Sequence, residues 1–244
     1  MFRAVIVSSL MGALVLTGSV AASAPAGSAG KPGEAATTTL AVLYFDYAGR
    51  DPGLEALSKG LAQMLISDLA AAKVARVVER DRLQALLNEQ KLAQSGKVGK
   101  FDPATAARVG KLLGARYLVM GSYFDLLGAL RADARLVNVE TGQIIKSVGA
   151  TGPPGDFLGM EQTLVKGLLD AVRTLPHLGP GPGDGARTLK PPRRLMTKTA
   201  VTYGRALAAA DGGDKKTARA LLTDVLGDQP DFALARRDLD NLVQ

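Results

Sequence analysis

Histidine occurs once in this 244-residue chain, as His177, and cysteine does not occur at all. These two counts remove most site chemistry. A metal centre built from imidazole and thiolate ligands is excluded, and the acidic residues do not cluster as a carboxylate-only centre requires. Disulfides and thiolate nucleophiles go with the cysteines. A Ser-His-Asp triad needs rigid geometry, yet His177 stands between Pro176 and a Gly/Pro run. Gly179–Gly185 (GPGPGDG) follows no strand and lacks the lysine–hydroxyl ending of a phosphate loop. The most conspicuous charges are Glu79-Arg80 and Glu89. Acid–base work needs paired groups in a pocket, so Glu79 and Arg80 read as tethers between strand and helix, and Glu89 as the helix's exposed side. The sequence thus predicts no catalytic residue, no cofactor, no metal and no enzyme.

The surrounding pattern is that of an α/β domain. Leu40–Tyr47 (LAVLYFDY) is an apolar run fit for a strand buried on both faces. Asp51-Pro52-Gly53 turns the chain. Leu54, Leu57, Leu61, Leu65 and Leu69 then form one helical stripe. Ala75–Glu79 is a second strand, after which Asp81 and Gln84 read as a capping box. Leu83, Leu86, Leu87 and Leu92 mark that helix's apolar side. Asp102-Pro103 opens another helix, which Gly114 closes. Arg116–Phe124, Leu130–Val139 and Gln143–Ala150 are the remaining strands, the last two joined at Glu140-Thr141-Gly142. Phe157–Leu175 is a final helix with Leu164, Leu168 and Val172 inward. The order β-α-β-α-α-β-β-β-α predicts a mixed sheet of about five strands with flanking helices, its last three strands an antiparallel meander.

The ends carry an address and a second unit. Arg3, the apolar Ala4–Leu16 and Ala22-Ser23-Ala24 have the parts of a cleaved secretion signal over 1–24, the alternative being an uncleaved anchor, since Ala4–Ala24 is long enough to span. Leu16-Thr17-Gly18-Ser19 has serine where a lipobox needs cysteine, so no lipid anchor of that kind is expected. Residues 25–38 read as a flexible tether, 39–175 as the α/β domain, and 176–194 as a Gly/Pro-rich basic linker. The net charge of +7 concentrates at Arg187, Lys190, Arg193, Arg194 and Lys198. These residues are candidates for contact with an anionic surface, set against the plainer reading of a solvated linker. Nucleic acid is a poor partner, since no basic stripe with interleaved aromatics occurs. In 195–244, Ala206, Gly213, Ala218, Leu222, Val225 and Pro230 fall at the spacing of a tetratricopeptide-like helix–turn–helix. So short a unit cannot cover its own apolar faces. Leu222, Val225 and Leu239 therefore need cover from the α/β domain, a second copy or a partner, and the intermolecular outcome is expected because the linker leaves the tail free to move.

Four stretches in order carry a family resemblance: Leu40–Phe45; the pattern of Glu79, Arg80, Leu83, Glu89 and Gln90; Ala104–Gly121, with Gly114 and Gly121; and LVNVETGQIIKSV, with Thr141 and Gly142. Together they resemble the curli assembly/transport CsgG family. The resemblance implies a periplasmic or outer-membrane-associated protein, often oligomeric, serving assembly or export of surface structures. The family's pore hairpins have no room here. A spanning hairpin needs roughly 20 residues, and the candidate insertion points, Ser95–Phe101 and Asp125–Ala129, are far shorter.

The functional expectation is thus a non-enzymatic periplasmic scaffold or accessory factor acting through protein–protein contacts with envelope proteins or itself. The alternative is a soluble periplasmic binding module for a cell-wall or lipopolysaccharide component.

Overall fold

A computed structural model describes residues 38–90, 103–153, 155–176, 192 and 194–242. The signal, the tether except Thr38, Leu92, the Ser95–Phe101 loop and the predicted Asp102 cap lie outside the described residues, as do His177, Arg187, Lys190 and Arg193.

The predicted first strand is two. β1 (Thr39–Val42) and β2 (Asp46–Tyr47) flank Leu43, Tyr44 and Phe45, each at most 1% exposed. The chain keeps its line here, Leu43 N–H donating to the Val119 carbonyl at 2.9 Å, but Tyr44 and Phe45 turn into the interior. A short 3₁₀ turn, Pro52–Leu54, capped by the Asp51 side chain, leads into α1 (Leu57–Ala71). Leu57, Leu61, Leu65 and Leu69 are at most 2% exposed, as the stripe predicts. Ala62, Met64 and Ile66 are buried as well, so α1 is enclosed on more than one side.

β3 (Arg76–Val77) is shorter than predicted, and α2 (Arg80–Glu89) follows it directly. The expected capping box is absent. Glu79 holds the cap position but its side chain does not cap the helix N–H groups, and Asp81 sits inside the first turn. α3 (Pro103–Leu112) ends as predicted, with Gly114 at φ +67°. Three long strands follow: β4 (Tyr117–Leu126), β5 (Ala129–Asn138) and β6 (Ile144–Gly152). Then come α4 (Phe157–Val172), α5 (Thr197–Asp211), α6 (Lys215–Asp228) and α7 (Ala233–Asn241).

The sheet runs β3-β1-β4-β5-β6, with β2 beside β4 where β1 ends. β1, β3 and β4 are parallel, whereas β4, β5 and β6 form the predicted antiparallel meander. The crossover from β1 to β3 runs one way across the sheet and that from β3 to β4 the other. Right-handed crossovers therefore put α1 and α3 on opposite faces. α4 joins α1 and packs on β5 and β6. The inner face of β5 is Leu130, Ala132, Ala134 and Leu136, at most 4% exposed.

The tail does not stand apart. α5 lies across α1, and residues 35–244 form one compact unit. Two glycines set the crossing. A Cβ on Gly204 would fall 1.9 Å from the Ala56 carbonyl oxygen, and one on Gly60 would fall 2.9 Å from that of Ala200. Upstream, the Leu195 carbonyl accepts from Phe157 N–H at 3.0 Å and anchors the chain entering α5 to the start of α4. Leu222 and Val225, 2% and 1% exposed, belong to the common core with Phe232 and Ala235, and Leu239 packs against it. This corrects the expectation of an intermolecular partner for Leu222, Val225 and Leu239. α5 and α7 of the same chain supply their cover, and the mobile-tail reading falls with it.

Candidate protein interface and the buried ion-pair latch

Where α1, α2 and the end of α5 meet, Arg80 Nη1 binds both oxygens of Asp211, at 2.8 and 2.9 Å. Lys59 Nζ reaches the same carboxylate at 2.5 Å. Lys59 also donates to Gln84 Oε1 at 3.2 Å and lies 5.5 Å from the centre of the Tyr44 ring. Tyr44 in turn donates to Gln84 Oε1 at 2.8 Å. The Arg80 and Asp211 side chains are only 8% and 9% exposed. Burial opposes the Arg80 charge, but the neighbouring Tyr44 and Asp211 oxygens outweigh it, so the guanidinium is held ionised more firmly than usual. Burial likewise pushes the Tyr44 hydroxyl up, out of reach as a base. The cluster is a latch between tail and α/β domain. It pairs cations with a carboxylate and offers no open nucleophile or base.

The predicted tether role of Arg80 thus has a different partner: it ties α2 to α5, 131 residues away. Gln84, read as a capping residue, faces inward to Tyr44 because the helix starts two residues earlier than the box requires. The remaining motif residues sit at backbone positions. Glu79 is half-buried at the α2 cap and Leu83 is in the core, while Glu89 and Gln90 are exposed at the helix end. Gly121 admits no side chain, since a Cβ there would sit 2.3 Å from the Asp133 carbonyl oxygen and 2.5 Å from the Phe45 ring. In the β5–β6 turn Gly142 takes φ +71° and donates to the Asn138 carbonyl at 2.9 Å. The Asn138 side chain accepts from Glu140 and Thr141 N–H, and Thr141 Oγ1 accepts from Gln143 N–H at 3.3 Å.

Of the basic candidates, Arg194 is exposed and donates to the Gly155 carbonyl at 3.1 Å. Lys198 lies in the first turn of α5, 3.6 Å from Asp228. No group of three or more His, Cys, Asp or Glu is placed to hold a metal among the described residues. Nor is any described helix long and apolar enough to cross a membrane.

The exposed chemistry lies elsewhere. On the outer face of the meander, register places three columns side by side. β4 presents Met120, Ser122 and Phe124. β5 presents Arg135, Asp133 and Arg131, and β6 presents Ser147, Gly149 and Thr151. Arg131 grips Asp133 at 2.7 and 3.0 Å. The β4–β5 turn carries Leu126, 57% exposed, and Leu127, wholly exposed and at φ +51°. Its base is braced by Tyr47, which donates to Asp125 at 2.5 Å and stacks on Tyr123 at 5.1 Å. Among the described residues β6 pairs with β5 alone, so no described strand adds to its other edge.

This arrangement defines an α/β sheet protein with a latched helical tail and an open outer face. Within it, residues 41–126 match the family model described as curli production assembly/transport component CsgG. No curated protein sequence matches the chain. Among solved structures it is similar to the LpoB C-terminal domain from Salmonella enterica, at 20% identity and TM-score 0.40, over 48% of this chain and 83% of that one. It is also similar to the lipoprotein GNA1162 from Neisseria meningitidis, at 14% identity and TM-score 0.40, over 57% of this chain and 99% of that one. A third likeness is to the PelC dodecamer from Paraburkholderia phytofirmans, at 15% identity and TM-score 0.37, over 57% of this chain and 89% of that one.

Proposed function

We propose that this protein is a non-enzymatic accessory or scaffold factor of the bacterial cell envelope, acting through protein–protein contacts in the assembly or export of surface structures. The observation that carries the reading is the CsgG match over 41–126, which spans β1 to β4. The buried charges support it, because they are spent on joining the tail to the domain rather than on an open pocket. The free β6 edge and the outer sheet face are the surfaces such a factor would use. Export follows from the signal read at 1–24, and a periplasmic, non-lipidated mature chain from Ser19 in place of the lipobox cysteine. In this reading the helices of 195–244 are a tetratricopeptide-like unit that has become part of the main body.

Fractionation with N-terminal sequencing, followed by crosslinking in intact cells, tests it. Recovery of a chain beginning near Pro25 in the periplasm, crosslinked to envelope proteins or to itself, is the expected result. Recovery of intact Met1 from the cytoplasm would overturn the reading.

A further inference from the structure

We infer that the free edge of β6 is a docking site for an extended acidic segment of a partner protein, which adds a strand to the sheet and carries alternate carboxylates toward Arg135 and Arg131. The inference rests on the protein-contact reading above and names the kind of partner.

The edge itself is the first reason. Ile144–Gly152 is nine residues long, holds no proline and bears one charge, Lys146. Sheet edges of that length are ordinarily covered, broken by proline or studded with charge, because a row of unpaired N–H and C=O groups is a template for another strand. Here Ile144 is 50% exposed. Lys146, Ser147, Gly149 and Thr151 are exposed too.

Chemistry selects the occupant. Ser147, Gly149 and Thr151 make a low shelf between the edge and the charged column of β5. The tips of that column fill the space above Gly149, where a Cβ would meet Asp133 Oδ1 at 2.6 Å and Arg131 Nη2 at 2.8 Å. The Arg131–Asp133 pair therefore leans over β6, toward the place an added strand would occupy. Strands lie about 4.8 Å apart, so an added strand would run roughly 10 Å from the β5 column, a gap two long side chains bridge over a shelf without bulk. The column holds two arginines and one aspartate. Arg135 is exposed and belongs to none of the ion pairs of the described residues. A glutamate on the added strand beside Ser147 would complete that pairing, whereas a lysine there would meet Arg135 as a like charge. A second copy of the same edge brings no carboxylate, because IIKSVGATG contains none.

The test uses the full-length protein and two labelled peptides of about nine residues, one alternating glutamate with valine and one alternating lysine with valine. Fluorescence anisotropy reads binding, and amide hydrogen exchange reads its place. The expected result is binding of the glutamate peptide only, slowed exchange within Ile144–Gly152, an affinity about tenfold weaker for Arg135→Glu, and near-complete retention for Arg135→Lys. Absence of binding, equal binding of both peptides, or protection outside β6 would overturn the inference. So would self-association of the protein that protects the same amides without peptide. If wild type and Arg135→Glu crosslink envelope proteins alike in cells, the β6 site fails while the scaffold reading stands.

Discussion

Glu161 offers the sharpest test of the packing. It lies on α4, fully buried, and its Oε1 atom has no hydrogen-bond partner. Its surroundings are the carboxylate of Asp68 on α1 and the amide of Gln162, which donates to both acids. Glu161 takes part in no ion pair. Burial first, and then the Asp68 charge, hold its carboxyl well above the usual range, with the Gln162 bond opposing weakly. Asp68 is raised in the same direction by its own burial. Below the ordinary glutamate value of 4.5 the group is protonated whether the chain is folded or not, and its presence costs nothing in linkage. As pH climbs past that value the unfolded chain ionises and the folded one resists. Stability therefore falls, at up to about 1.4 kcal/mol per pH unit, until the folded pKa is reached. Glu161→Gln removes that slope and keeps the shape. Relieving one buried unsatisfied atom is worth about 2 kcal/mol near neutral pH, or a rise of roughly 4–8 °C in melting temperature for a chain of this size. Thermal melts of both proteins at several pH values would show the curves converging in acid and separating toward neutrality. Parallel curves, or a variant that melts lower at neutral pH, would refute the assignment of a buried, proton-holding carboxyl.

Other perturbations follow from the same structure. Asp211→Ala strands the buried Arg80 and Lys59, so urea unfolding should show a loss of about 3–5 kcal/mol; an unchanged midpoint would mean that the latch is not formed in solution. Gly204→Val drives a side chain into the Ala56 backbone, and a melting temperature within 2 °C of wild type, roughly the shift of 1 kcal/mol, would exclude the α1–α5 crossing. Leu65→Asp places a carboxylate at a fully buried site and should abolish cooperative folding, at a cost of several kcal/mol. Leu127→Gly releases a left-handed leucine at an exposed tip and should stabilise by about 1 kcal/mol. Deleting Met196–Gln244 should lower the melting temperature, because it uncovers α1.

The sequence was most legible where one physical signal acts alone. Leu57, Leu61, Leu65 and Leu69 lie in the core because a helical stripe has one solution, and Gly114 and Gly142 take positive φ because few other residues do so cheaply. The alternation of Leu130 to Leu136 likewise gave the buried face of β5. Long-range pairing was not legible. Nothing near Arg80 marks Asp211 as its partner, and a glutamate at position 161 reads as an exposed helix residue until α1 is laid beside it. The split of β1 from β2 was hidden for a related reason: Tyr44 has strong strand propensity, and only its bond to Gln84 shows why it leaves the ladder. The tail's expected turn is present, with Gly213 at φ +81°, but its apolar faces pointed to a partner because neither the packing of α6 between α5 and α7 nor the α1 surface under α5 can be read from the tail alone.

The crossing of α5 over α1 also bears on the order in which the molecule can become native. Lys59 and Asp211 are 152 residues apart, and the glycines that let the two helices touch are separated almost as widely. A nascent chain that has delivered every strand but not α5 still shows an apolar flank of α1 to its surroundings. Closure of such distant contacts is slow, and the waiting intermediate is a substrate for chaperones and proteases. α5 thus acts as a late staple: a chain interrupted before Asp211 lacks the contact that closes over α1 and is left open to degradation.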